Sequence, residues 1–155
     1  MNDFKDELSG ILQALGRHGL LEHLVLIGSW ALVIYEAYFE DTTYSPAIRT
    51  TDLDFLVPKR RPRIEAKKDI SQILESLGFS EDFSSDGWLT YHKPEFHVEF
   101  LLPRIGRQSD DVVSIPALGI NARPLRHLSL LADNTISVAF QGLVVTAPHP
   151  AAYAL

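Results

Sequence analysis

The sequence predicts an α/β (α+β) domain: a mixed β-sheet flanked by helices. Three observations predict it. A continuous apolar run at residues 24–28 passes straight into a helical pattern. A second run, residues 52–57, alternates acidic and apolar side chains as a half-buried strand does, and a third, residues 96–102, repeats that alternation after a helix and two short strand candidates. At 155 residues the chain forms one domain large enough to bury a core without disulfide staples.

Phe4, Leu8, Ile11, Leu12 and Leu15 recur at helical spacing, so residues 2–17 form an amphipathic helix, which Gly16 and Gly19 punctuate. "LVLIG", residues 24–28, is rich in branched side chains, as a strand covered on both faces requires. Ser29 stands where a helix N-cap belongs, with Ala31, Leu32, Ile34, Tyr35 and Tyr38 behind it. Residues 40–50 are polar and contain Pro46, which makes them a loop. Residues 52–57 are a strand closed by Pro58, and Lys59-Arg60-Arg61-Pro62-Arg63 is a basic connector. The third helix is expected over residues 64–77, ended by Gly78.

Residues 79–83, 88–92 and 96–102 then read as an antiparallel meander, with turns at Ser85-Asp86-Gly87 and Lys93-Pro94-Glu95. Short strands follow at 112–115 and 118–121, a helix at 125–132, and a hairpin of 135–140 with 143–146 turning at Gln141-Gly142. The ending "PHPAAYAL" reads as a helix just begun, with Pro150 in its first turn and its apolar residues half covered. The expectation is therefore a single domain, 1–155, cut at its C-terminus from a longer protein.

Composition removes several function classes. The chain has no cysteine, which excludes a disulfide scaffold, thiol catalysis and cysteine-ligated zinc, and suits a reducing, cytoplasmic setting. Its N-terminus lacks the basic-then-apolar order of a signal peptide, and its longest uncharged apolar run, residues 24–35, falls short of the roughly 20 residues a membrane span needs. Net charge is −6 and the pI about 5.4, so any contact with RNA or DNA must be local. Gly-x-Ser-x-Gly, Gly-Lys-Ser/Thr and His-Glu-x-x-His are all missing, so hydrolase, P-loop and zinc-protease chemistries lack their minimal parts.

Residues two apart on a strand share a face, about 6.6 Å from one another. Asp52 and Asp54 therefore point one way while Leu53 and Phe55 face the core. Two carboxylates so close repel unless a cation or a shared proton lies between them. "FHVEFLL" repeats the pattern, with His97 and Glu99 on one face; if its strand lies beside the first, Glu99 becomes a third acid of the cluster. Such hard oxygen ligands suit Mg²⁺ or Mn²⁺. Gly28-Ser29, between a buried strand and a helix, offers backbone N–H groups and the positive end of a helix dipole to a phosphate. A phosphate cradle beside clustered carboxylates describes a nucleoside triphosphate site.

"LIGSWA", "RTTDLDFLVP" and "HVEFLLP", within residues 24–103, together resemble the pattern of the polymerase-beta-type nucleotidyltransferase superfamily. The similarity is greatest to bacterial minimal nucleotidyltransferases, including those akin to AbiEii-type toxins, with a weaker echo in "VVTAPHPAAYAL". The resemblance implies the nucleotidyltransferase fold. It also implies transfer of a nucleotidyl group from a nucleoside triphosphate to an acceptor hydroxyl, with release of pyrophosphate. Asp52, Asp54 and Glu99 are implied as catalytic ligands of two metal ions, and Gly28 and Ser29 as binders of the triphosphate. Here the Ser29 to Asp52 spacing is long, the excess falling in the loop around Pro46. The lysine that related toxin-like enzymes carry in the helix after the last strand is not reached before Leu155.

Around this constellation, Arg49 is a candidate triphosphate contact, while the basic connector, Arg104 and Arg107 could guide an RNA acceptor along the rim. An exposed, merely solvated connector is the expected case. His97, on Glu99's face, could orient a ligand or touch the nucleotide, with a satisfied structural histidine the expected case, and Trp30 is expected to be a core residue. The acceptor stays open among RNA, protein and small molecule. A nucleotide-binding or interaction module of the same fold without turnover, acting with a protein partner, is the alternative reading, and a structural domain with solvated acids a third.

Overall fold

The computed structural model describes residues 2–39, 51–59, 62–64, 67–85, 87–104, 106 and 111–154. The expected loop 40–50, with Arg49 and Pro46, lies outside the described residues, as do Arg60, Arg61 and Arg107.

Helix α1 (Asn2–Arg17) buries the stripe Leu8, Ile11, Leu12 and Leu15, as its periodicity requires. A single 3₁₀ turn, Leu21–His23, leads into β1 (Val25–Ile27), buried at every position, and then into α2 (Ala31–Phe39). Next come β2 (Asp52–Leu56), α3 (Ile70–Ser76), β3 (Ser80–Phe83), β4 (Leu89–Lys93) and β5 (Phe96–Pro103). The chain continues through β6 (Val113–Ile115), β7 (Ile120–Leu125), α4 (Ser129–Asp133), β8 (Thr135–Phe140), β9 (Leu143–Pro148) and α5 (Pro150–Ala154).

The principal sheet runs β1-β2-β5-β4-β3 and is mixed, as expected. β1 and β2 are antiparallel, β2 and β5 parallel, and β5, β4 and β3 form the antiparallel meander. A parallel pair needs a long crossover, which α3 and the β3–β4 hairpin provide. On its edge away from β2, β5 pairs first with β4, through Phe96–Val98, and then with β7, through Leu101–Pro103. β8 and β9 form a separate hairpin against β1 and α2, tied by the Tyr35 hydroxyl donating to the Pro148 carbonyl at 2.6 Å.

Strand alternation divides the sheet into unlike faces. Leu53, Phe55, Val98 and Phe100 enter the main core with Trp30, Ile34 and the α1 stripe. On the other face, Val25, Ile27, Leu56 and Leu101 form a small cluster roofed by Leu125, Leu128, Leu131 and Ala132. The roof of this face comes from the end of β7 and from α4, so among the described residues the carboxylates, two residues along β2 and β5, are left uncapped. No described helix is long and apolar enough to cross a membrane.

Two stretches depart from the sequence pattern. The third helix begins at Ile70 rather than 64, capped by the Asp69 side chain accepting from the Gln72 N–H at 3.0 Å. The N–H groups of Lys68 and Ile70 donate instead to the Ala117 and Leu118 carbonyls, so tertiary partners replace helical ones. The expected strand 118–121 is half turn: β7 starts at Ile120 and runs on to Leu125, which shortens the following helix to Ser129–Asp133. The parallel ladder with β5 overrides the local pattern there.

Candidate functional site

The site is built by register. The parallel β2–β5 pairing sets Asp54 opposite Glu99 and Asp52 opposite His97. On the other side of β2, Asp54 faces Ile27, the last residue of β1, which brings the Gly28-Ser29 turn beside it. The sequence-derived residues Gly28, Ser29, Asp52, Asp54 and Glu99 therefore meet on adjacent strands at one end of the uncapped face.

Gly28 has φ +74°, and a Cβ placed on it would lie 3.3 Å from Asp54 Oδ2. The left-handed backbone favours glycine, and a Cβ would also crowd the Asp54 carboxylate. After it the N–H groups of Ala31, Leu32 and Val33 donate to the Gly28, Ser29 and Trp30 carbonyls, each at 3.1 Å. Helix α2 thus begins at Ala31, and Ser29 lies within the turn rather than at the expected N-cap, because tight i to i+3 bonding takes up the first residues. Gly28→Ala should lower stability by about 1–2 kcal/mol through the strained φ. Urea unfolding with an unchanged m-value checks this.

The carboxylates are electrostatically strained. Burial first, then the charges of Glu99 and Asp52, push Asp54 from 3.8 up to about 6. Burial also raises Glu99, Arg123 pulls it back, and Asp52 raises it further. Glu99 Oε1 is buried without a hydrogen-bond partner, and Arg123 Nη1 makes an ion pair with it at 3.6 Å, beyond hydrogen-bond length. The Arg123 guanidinium in turn lies 3.7 Å over the Trp88 ring. Sequence reasoning missed both residues. "NARPL" carries no spacing signal, and Arg123 reaches Glu99 through the parallel pairing of β7 with β5.

A cleft of about 250 Å³ opens here, lined by Asp52, Asp54, Thr90, His97, Val98 and Glu99. His97 is exposed and its ring lies 6.3 Å from that of His92, tilted by 24°. It is therefore a wall of the cleft, not the satisfied structural histidine expected, because even register with Asp52 puts it on the uncapped face. Trp30 is core, 1% exposed. Of the described basic residues, Lys59 lines a different cavity, beside Val57 and Leu102, and neither Arg63 nor Arg104 lines the carboxylate cleft.

Among the described residues no three His, Asp or Glu side chains are gathered into a ready-made metal cage. Mg²⁺ is commonly held by one or two carboxylates, with substrate phosphates and water completing its shell. The hard carboxylate donors Asp52, Asp54 and Glu99 around one open cleft fit that mode.

A family model described as Nucleotidyltransferase matches residues 6–155. No curated protein and no solved structure matches the chain.

Proposed function

The chain belongs to the nucleotidyltransferase family, and from that premise we propose that it binds a nucleoside triphosphate with Mg²⁺ (or Mn²⁺) and transfers the nucleotidyl group to an acceptor hydroxyl, releasing pyrophosphate. The observation that carries this reading is the β2–β5 register, which aligns Asp54 with Glu99 beside Asp52 and the Gly28-Ser29 turn. In this reading the turn and the N-terminal end of α2 receive the triphosphate with backbone N–H groups, and Arg49 adds a charge to it. Asp52, Asp54 and Glu99 would hold the cation, Glu99 from the acceptor side. Bound there, Mg²⁺ would screen the triphosphate and the departing pyrophosphate and lower the pKa of the acceptor hydroxyl.

The sheet order supports the division of labour. Gly28 follows β1, on one side of the carboxylates, whereas Thr90 and His97 line the cleft on the β4–β5 side. The acceptor oxygen enters from that second side and bonds to the α-phosphorus, while the bond from that phosphorus to the β-phosphate oxygen breaks. The acceptor proton leaves to solvent, and no protein base is assigned.

The test is to incubate the protein with each labelled triphosphate, Mg²⁺ and cell extract, and to follow label transfer and acceptor mass. Transfer that requires Mg²⁺ and is lost in Asp52→Asn is the expected result. Tight triphosphate binding by calorimetry with no transfer under any condition would instead favour the non-catalytic nucleotide-binding module.

A further inference from the structure

We propose that Arg123, clamped on the ring of Trp88, is a positioning residue for Glu99: it engages one carboxylate oxygen so that the other is presented beside Asp54. This rests on the carboxylate site proposed above.

The fold prepares the arrangement. β5 uses one edge for two strands in succession, β4 through Phe96–Val98 and β7 through Leu101–Pro103, and Glu99 falls between the two ladders. Strand alternation places Arg123, in register with Leu101, on the same face as Glu99. Trp88, immediately before β4, reaches the same junction from the other strand. Glu99 thus stands in the gap between the two ladders, with Oε1 buried and without a hydrogen bond.

A glutamate in such a gap has rotamer freedom to lose before it can act. Arg123 removes that freedom in two steps. The planar guanidinium, 3.7 Å over the indole, is oriented by stacking, and a guanidinium so oriented fixes Glu99 Oε1 through the 3.6 Å ion pair. Both side chains keep partial exposure, 34% for Arg123 and 25% for Glu99, so the pair is not sealed in the core, and Glu99 itself lines the cleft. A carboxylate has two oxygens, and holding one leaves the other for a ligand.

The alternative is that Arg123 merely neutralises a buried acid, and the two roles predict opposite results for cation binding. The experiment is Mn²⁺ binding to the full chain with a nucleoside triphosphate present, followed by electron paramagnetic resonance, with kcat and KM measured alongside. Wild type should bind Mn²⁺ and Asp54→Asn should not. Arg123→Met should weaken binding about tenfold or more, the usual effect of losing a ligand's orienting partner. Arg123→Lys, which keeps the charge but not the plane, should also weaken it, and guards against a Met variant that does not fold. Trp88→Leu should weaken binding, Trp88→Phe should restore it, and Trp88→Leu added to Arg123→Met should bring no further loss, since Trp88 acts through Arg123. In turnover, kcat should fall while KM for the triphosphate stays within about twofold. Equal or tighter Mn²⁺ binding in Arg123→Met, with Asp54→Asn still defective, overturns the positioning role and leaves the carboxylate site standing. Absence of Mn²⁺ binding in wild type, or binding unaffected by Asp54→Asn, overturns the carboxylate site and this inference with it.

Discussion

Asp54→Asn should abolish metal-dependent nucleotide transfer and, in the same molecule, make the metal-free protein more stable at neutral pH. The first effect follows from the proposed cation site, in which Asp54 stands between Asp52, Glu99 and the Gly28 turn; removing its charge there should take away several kcal/mol of transition-state stabilisation, on the order of a thousandfold in rate. The second follows from its titration. The folded-state pKa is about 6, above the ordinary 3.8, because burial and two neighbouring acids disfavour the charge. Between those values the folded chain holds a proton that the unfolded chain has released, so stability falls as pH rises from about 4 to about 6 and stays lower above that. Discounted for the partial exposure of the group, the destabilisation at pH 7 is roughly 1–2 kcal/mol. Asparagine keeps the shape and removes the charge. Urea unfolding in EDTA should show the variant more stable than wild type at pH 7 and equal to it near pH 4, while label transfer disappears. A variant that is less stable at pH 7, or that still turns over, contradicts the placement of Asp54 in a strained cation site.

Trp30→Ala should be among the most destabilising single changes in the chain, at about 3–5 kcal/mol. Trp30 is 1% exposed, and its ring lies 5.5 Å from that of Phe96, which in turn lies 5.7 Å from Phe4. Truncation leaves a cavity bordering α1, α2 and β5 together, beyond local repacking. Because total stability is typically only 5–15 kcal/mol, the loss is a large share of it. Trp30→Phe should cost much less: Trp30 Nε1 is buried without a hydrogen-bond partner, so phenylalanine removes an unsatisfied donor along with some volume. Denaturant midpoints of the two variants test this, and an alanine variant within 1 kcal/mol of wild type would show that Trp30 is not central to the core.

Trp30 also links stability to the site. It follows Ser29 directly, and its burial against Phe96 anchors the turn that starts at Gly28. A single buried ring therefore holds the strand-to-helix junction in place beside Asp54.

Much of this was legible along the chain because it depends on neighbours in sequence. The helix Asn2–Arg17 follows from an apolar stripe of period 3.6, and the meander β3-β4-β5 from short turns that force antiparallel neighbours. That Asp52 and Asp54 share a face follows from the period of two in any strand. That Glu99 could join them was conditional on strand adjacency, which the parallel register supplies. The start of α3 at Ile70 was not legible, because the hydrogen bonds that end the preceding segment come from Ala117 and Leu118.

By itself, then, the sequence determined which residues alternate, which turn bends, and which acids stand together on one strand, since these are properties of a few consecutive peptide units. Only the tertiary structure decided what stands across from them. Glu99 meets Asp54, the Gly28 backbone lies so near Asp54 that a Cβ there would sit 3.3 Å from its carboxylate, and Arg123 comes from β7 to lie between Trp88 and Glu99. The physical reason is that a strand's pleat is set locally, whereas its partner is chosen by burial of the whole sheet.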